Sequence, residues 1–475
     1  MARINTNVAS LTAQRGLQRS QKQLGSTLQR LSTGLRINRG ADDPAGLIAS
    51  EGLRSEISGI NQAIDNSQRA SNVISTAEGS LNEVASLLLN IKSLVVQAAN
   101  TGALSPEEIQ ANQLQVDSAV QSITRIANTT TFAGLKLING SLDYVTSGVS
   151  GSAVTSLEIS QANFGTRASI PVQVDVITSA KTAELQFRGS AIASGVTLEI
   201  GGVEGVQVLQ FTAGTKTSAI AYAVNTLTDA TGVTAGYITA SAATSGITFN
   251  SIGYGSRQFV SVTAQSGVFG TVDSAGNSKA RDIGQDVAAT VNGALTVGDG
   301  LNLKLNTSSL EMSMTIDETF GIGQTSFAIT GGGALFQLGA KVTSNQQVNV
   351  GIQSVAASKL GSKTVGFLND VVTGGTSTLV GGNSADASKI LETAIRQVAV
   401  LRGRLGAFEK NTLDTNINSL NIAMENVTAS ESSIRDADFA AETAALTRSQ
   451  ILTQAGTSVL ATANATPQQV LSLLQ

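Results

Sequence analysis

Between residues 53 and 95 one position recurs every seven residues: Leu53, Ile60, Ser67, Ile74, Leu81, Leu88 and Val95. A seven-residue repeat marks a coiled-coil seam, because two turns of α-helix bring every seventh side chain back to nearly the same face. Ile57 and Ile64 read as the companion position, with Val84 and Ile91 taking over after a register shift. A helix over about 45–99 would span roughly 80 Å at 1.5 Å per residue. A narrow apolar stripe on so long a helix cannot be buried against itself. It requires partner helices from elsewhere in the chain.

Local signals bound these helices. Asp43 is a good N-cap and Pro44 a good first helical residue. Asn100-Thr101-Gly102 ends the long run, and Ser105-Pro106-Glu107-Glu108 is a capping box with proline at the first helical position. Ile109, Val116 and Ile123, with Val120 and Ala127, make a third stripe ending near Asn128. Upstream, Leu17, Leu24 and Leu31 with Leu28 and Leu35 form another seam, and Ile4, Val8 and Leu11 a similar one a residue out of register. Helical pattern returns late, at Leu391, Ile395, Val398 and Leu405. After a slip it resumes at Leu413, Leu420, Val427 and Ile434, with Ile417 and Met424. A final alanine-rich helix carries Leu446, Ile451, Leu452, Ala455, Val459 and Ala463, and Pro467 precedes the apolar ending Val470–Leu474.

From about 132 to 345 the period changes. Val172, Val174 and Val176 alternate with polar residues, and Val206–Phe211 and Phe259–Thr263 look similar. Clusters of Gly, Ser, Asn and Asp separate them. Thr217–Leu227 reads as a short helix among strands. Gln346–Ser358 fits a short helix or an extended segment equally well. The fold expected is mainly α with an inserted β-rich region: long terminal helices pairing into a coiled-coil bundle, and one or two strand-rich outer domains.

Composition removes most chemistry. With no His and no Cys there is no imidazole base, no thiolate and no ordinary zinc site, and no disulfide can form. No cofactor, metal or enzymatic activity is expected. Asp42 and Asp43 beside Pro44 read as a cap rather than a metal pair. Gly331-Gly332-Gly333 lacks the Gly-Lys-Ser/Thr of a phosphate loop and reads as a turn. A net charge of −4 argues against nucleic acid as a partner. The charge is uneven: residues 1–41 hold seven bases (Arg3, Arg15, Arg19, Lys22, Arg30, Arg36, Arg39) and no acid, while 431–475 hold four acids against two bases. The basic stretch is either a solvated face or one that meets acidic neighbours. No apolar run approaches the roughly 18 residues of a membrane span, and the start has no signal-peptide core. Both facts would by default place the chain in the cytoplasm, with no membrane partner.

Periodicity alone leaves open an ordinary helical bundle with an inserted domain. The motifs go further. Leu31-Ser32-Thr33-Gly34-Leu35-Arg36-Ile37-Asn38, followed by Asp42-Asp43-Pro44-Ala45-Gly46-Leu47, closely resembles the N-terminal signature of bacterial flagellins. Gln450–Ala461, then Ala463-Asn464 and Pro467–Leu474, resembles their C-terminal signature almost throughout. Thr131-Phe132-Ala133-Gly134 and Ile434-Arg435-Asp436-Ala437-Asp438-Phe439 also fit. The resemblance covers about 1–140 and 345–475.

The resemblance implies a structural subunit of the flagellar filament that polymerises with itself into an open helix. It is expected to leave the cell through the flagellar type III export apparatus and to be added under a filament cap. An export chaperone would cover the C-terminal segment, and hook-junction proteins would be further partners. It implies filament-core helices at 1–42 and 432–475, a helical bundle with a β-hairpin region at 43–180 and 345–431, and a variable strand-rich outer domain at 181–344. The two ends form two tiers, divided near Arg39–Pro44 and Ser430–Asp438. Leu24, Leu28, Leu31 and Leu35 are expected to meet Ile451, Leu452, Val459, Leu473 and Leu474 within and between subunits, each contributing about 1.5–3 kcal/mol when buried. Receptor-stimulating flagellins resemble one another in a stretch Gln-Arg-x-Arg-Glu-Leu-Ala-Val-Gln. Here that stretch is Leu89–Gln97, with Asn90 and Ser93 in place of an Arg and the acid. Lys92 keeps charge but lacks the guanidinium fork, while Leu94 and Gln97 match. Weak or absent Toll-like receptor activation is implied. A hook–filament junction protein, and a secreted adhesin with glycan-binding middle domains, are the alternatives.

Overall fold

The computed structural model describes residues 6–165, 167–239, 246–307 and 309–472, with side chains through Thr466. The helices are α1 (Val8–Thr33), α2 (Pro44–Ala98), α3 (Pro106–Thr129), α4 (Thr217–Thr226), the single turn α5 (Thr228–Thr231), α6 (Ser384–Phe408), α7 (Thr415–Arg435) and α8 (Phe439–Ser472). Between α3 and α6 the chain is mostly strands, with α4 and α5 among them. The chain is thus mainly α with an inserted β-rich region, as its periodicities imply.

The helix ends follow the sequence cues. Gly46 N donates to Asp43 Oδ1 at 2.9 Å, so Asp43 caps α2. Ser105 and Glu108 exchange side-chain and backbone bonds in a full capping box at the start of α3. Gly34, at φ 72°, closes α1 in the left-handed conformation that glycine adopts without a Cβ clash, and its N–H donates to Arg30 O.

The seam of α2 corrects the sequence reading. Ile60, Ser67, Ile74, Leu81, Leu88 and Val95 are buried, as the heptad requires. Their companions are Ala63, Ala70, Ala77, Val84, Ile91 and Ala98, all buried, in unbroken alternating steps of three and four. Ile57 and Ile64 are only half-buried, and no register shift occurs. Alanines fill the places assigned to isoleucines, and a search for large apolar residues passes over them.

The slip after Leu405 has a physical counterpart. Leu405 and Leu413 are both buried but eight residues apart. In a plain α-helix the eighth residue sits one 100° step off the seam. A π-helical turn at Glu409–Asp414 absorbs that extra residue. The Glu409 carboxylate ties the turn to α2, accepting from Ser71 Oγ at 2.5 Å and Ser75 Oγ at 3.0 Å.

The chain divides into two compact units. One holds the described residues of 1–69, 337–342 and 411–475; the other holds 70–336 and 343–410. In the first, Asn416 Nδ2 donates to Ser67 Oγ at 3.1 Å and to Leu338 O at 2.8 Å, and Gly59 leaves room for Ala340. In the second, α3 and α6 hold irregular segments through a buried and a half-buried amide. Gln113 Nε2 donates to Val371 O at 2.9 Å, and its Oε1 accepts from Leu379 N at 2.8 Å. Gln397 exchanges two 2.8 Å bonds with the backbone of Gly361. Arg404 joins α6 to the strands, donating at 2.8 Å to Ser160 Oγ and to Gly351 O.

The strand-rich part of the second unit has two cores. In the first, the strands Ala294–Leu295, Ala288–Val291, Ile170–Thr178, Gly323–Gly332 and Tyr144–Ser147 run antiparallel in that order. Beside them, Val297–Asp299, Asn302–Asn306, Leu310–Ile316, Val154–Ala162 and Gln347–Val350 form a second antiparallel array. Val172, Val174, Ile159, Met312, Met314 and Phe327 pack between them. The second core packs Leu185, Leu198, Ile200, Phe249 and Val260 with Ile220 and Val224 of α4. It is nested in sequence inside the first, which resumes at Val287. Strands on both sides of residues 180 and 181 therefore share one core. The segment Gln346–Ser358, undecided from sequence, is a strand at Gln347–Val350 followed by irregular backbone.

Candidate assembly surface

The two chain ends pair as antiparallel helices. Asn7 Nδ2 donates to Ala463 O and Ser10 Oγ to Asn464 Oδ1, each at 2.7 Å. Further along, Leu17 packs on Gly456, where a Cβ would lie 3.3 Å from Leu17 Cδ1. Arg30 Nη1 then meets Glu442 Oε1 at 3.0 Å. As residue numbers rise on α1 they fall on α8.

The pair ends where both helices break. Leu35 and Asp436 form an antiparallel bridge. Arg36 N donates to Arg435 O at 2.7 Å and Ala437 N to Gly34 O at 2.9 Å, while the Arg36 guanidinium donates to Ile434 O. Asp42 locks the adjoining turn, accepting from Arg39 N at 2.9 Å and Asn38 N at 3.1 Å. Those bonds, Arg39's first, hold its carboxyl below the ordinary carboxylate value. Arg435 reaches Glu51 at 3.4 Å and Glu431 at 3.7 Å. The end of α1 at Gly34–Arg36 thus lies beside the break between α7 and α8 at Ile434–Ala437.

The line along which α8 is least exposed consists mostly of small or polar residues: Ala445, Ser449, Thr453, Gly456, Leu460 and Ala463. On α1 the corresponding line is Ala13, Leu17, Ser20, Leu24 and Thr27. Only Thr27 and Ser449 in these lines are fully buried. Several other large apolar side chains point elsewhere. Val8 is 62% exposed, Leu28 49%, Ile451 62%, Leu452 47% and Val459 58%. Of the residues singled out from sequence, Leu24, Leu31 and Leu35 are half-buried, and Leu28, Ile451, Leu452 and Val459 lie on exposed faces. Leu473 and Leu474 lie outside the described residues. Selecting by size found Leu24 on the α1 line but passed over the α8 line, where the three-and-four spacing of mostly small residues from Ser449 to Ala463 was the available signal.

Charge is also left over. Arg15, Arg19 and Lys22 are exposed. Beyond Glu442 the C-terminal segment contains no carboxylate side chain, so Arg30 alone of the α1 bases has an acid opposite it on α8.

On α2, Asn90, Ser93 and Gln97 are exposed and Leu94 is half-buried. Lys92 Nζ lies 3.0 Å from Glu392 Oε1 on α6, so its charge is engaged within the chain. Among the described residues no cluster of acids could hold a metal ion, and no helix is long and apolar enough to cross a membrane.

Residues 4–143 match the family of the bacterial flagellin N-terminal helical region, and 388–474 match the bacterial flagellin C-terminal helical region. B-type flagellin of Pseudomonas aeruginosa is 33% identical over 99% of both chains. Flagellin A of Vibrio anguillarum is 31% identical, again over 99% of both. The solved structure of FliC from Burkholderia pseudomallei aligns with 72% of this chain and 99% of that one, at 15% identity and a TM-score of 0.25. Joined terminal helices, motifs at both ends and end-to-end similarity converge on one assignment: this chain belongs to the bacterial flagellins.

Proposed function

We propose that the paired helices α1 and α8 are the polymerising element of this flagellin, and that the large apolar side chains they leave exposed are covered by other copies. The chain is a structural subunit of the bacterial flagellar filament, the extracellular propeller of swimming cells. The observation supporting this mechanism is the division of labour on α8. Small residues close the helix against α1, while Ile451, Leu452 and Val459 remain outside. In a monomer such a surface costs hydration free energy; in a helical polymer every copy covers its neighbour's.

On this reading the filament core is built from 1–42 and 432–475, the helical tier from 43–180 and 345–431, and the strand-rich middle faces solvent. Leu24, Leu28, Leu31, Leu35, Ile451, Leu452, Val459, Leu473 and Leu474 belong to the packing between and within copies. The exposed C-terminal face is also the segment an export chaperone would shield before type III export, and the cap and hook-junction proteins would meet the filament's two ends. The diverged α2 stretch, with Lys92 engaged by Glu392, supports weak or absent Toll-like receptor activation. Catalysis plays no part.

Elongation from filament seeds tests the mechanism. Leu31→Asp places a carboxylate at a half-buried seam position and should abolish growth. Filaments of normal length from that variant, seen by electron microscopy, would remove Leu31 from the assembly surface.

A further inference from the structure

The nested second core contains an unguarded strand edge. Its two sheets have four edge strands, and natural proteins cover or charge such edges because unpaired backbone invites another strand. Three are guarded. The Thr182–Phe187 edge exchanges backbone bonds of 2.7 and 2.8 Å with Val272, and Glu184 N donates to Asp282. The Val233–Tyr237 edge is clasped at Ala235 by both ends of the Asn225 amide, at 2.7 and 3.0 Å. The Arg281–Ile283 edge is three residues long and charged, with Arg281 held over the Phe259 ring at 4.2 Å.

The fourth edge, Val206–Phe211, pairs with Val196–Gly201 on one side. Its start lies near α5, where Gly205 approaches the Ala230 carbonyl. Beyond that, no other strand or side chain bonds its backbone among the described residues. Val206 and Val208 are 55% and 53% exposed. From Gly205 to Thr215 there is no charge and no proline, the two residue types that commonly blunt an edge.

We propose that this edge pairs with the same strand of a second copy, antiparallel and two-fold, linking copies that belong to different filaments. The proposal rests on the filament reading above. Antiparallel pairing of identical strands sets Val208 opposite Val208, or Leu209 opposite Leu209. Either register brings together only Val, Leu, Gln and Phe, with no like charges opposed. A two-fold contact does not repeat along a head-to-tail helix, so it joins neighbouring filaments. Six residues give a contact only about 20 Å long. It buries far less than the roughly 1,200 Å² of a stable interface. A single pair is therefore weak, and the linkage becomes firm only where two aligned filaments repeat it.

Two measurements test this. Wild-type filaments should form side-by-side bundles that pellet at low speed, Val208→Lys filaments should stay single and shed at least tenfold less pellet, and Val208→Thr should retain bundling. Single wild-type filaments, or equal bundling by Val208→Lys, would overturn the proposal. Because the chain has no cysteine, Val208→Cys and Leu209→Cys each supply one thiol in the unpolymerised chain. At high concentration, oxidation should give disulfide dimers from at least one of them, well above Thr263→Cys on Phe259–Ser266, an interior strand of the same sheet. Equal yields from all three would refute edge pairing whether or not filaments form, while absent filaments with edge-specific dimers would refute the filament reading alone.

Discussion

Replacing Ile451, Leu452 and Val459 together by alanine should cripple polymerisation and change the stability of the isolated chain far less. Fully burying such a side chain contributes about 1.5–3 kcal/mol. Ile451 is 62% exposed, Leu452 47% and Val459 58%, so about half of that remains unrealised in the single chain. That leaves roughly 1–2 kcal/mol per side chain for contacts between copies, and about 3–5 kcal/mol for the three. At 1.4 kcal/mol per tenfold, the critical concentration should rise at least a hundredfold, and about tenfold for Ile451→Ala alone. Pelleting across a dilution series measures the critical concentration, and thermal melting of the unpolymerised chain measures stability. Exposed positions ordinarily change stability by less than about 0.5 kcal/mol. A critical concentration within twofold of wild type would refute the assignment. So would a large drop in melting temperature, because the side chains would then be supporting the monomer.

Removing Asn411 from the π turn should cost little, since Leu413 then falls seven residues after Leu405 and the seam closes as plain α-helix. Removing Asn418 should destabilise strongly, because it turns Leu420, Met424 and Val427 off the seam by 100°; similar denaturation midpoints for the two deletions would contradict this account. Gln113→Ala strands Val371 O and Leu379 N in a buried site and should cost about 2–4 kcal/mol by chemical denaturation; a loss below 0.5 kcal/mol would mean that water replaces the amide. Asp42 is held below its ordinary value by its backbone bonds, so its contribution is present above about pH 4 and lost as pH falls through the depressed value. Asp42→Asn should therefore flatten the acid limb of the melting-temperature profile, and an unchanged limb would rule this out. A cell reporter should register little Toll-like receptor response to the purified protein; restoring Asn90→Arg, Lys92→Arg and Ser93→Glu should raise it, and no rise would detach the stretch from recognition.

Much of the architecture was legible in the chain itself. Heptads predict helices, and caps such as Asp43 and the Ser105–Glu108 box place their ends within a residue or two, because both rest on local backbone geometry. The slip between Leu405 and Leu413 even marks the π turn, since an extra residue in a buried seam must go somewhere. The assembly motifs were equally plain. What sequence hid was everything set by partners far along the chain. The alanine companions of the α2 seam carry no signal of size. The small-residue line of α8 gains meaning only once α1 lies against it.

The sequence by itself therefore determined the period of most segments, the main helix boundaries and the family. Only the tertiary structure decided which face of each helix turns inward, and the reason is geometric. A repeat in one strip of sequence specifies a face, but whether that face closes the monomer or waits for another copy depends on which residues approach from hundreds of positions away. On α8 the answer is the reverse of what size suggests: Gly456 closes on Leu17 within the chain, and Ile451 and Val459 stay exposed on its other faces.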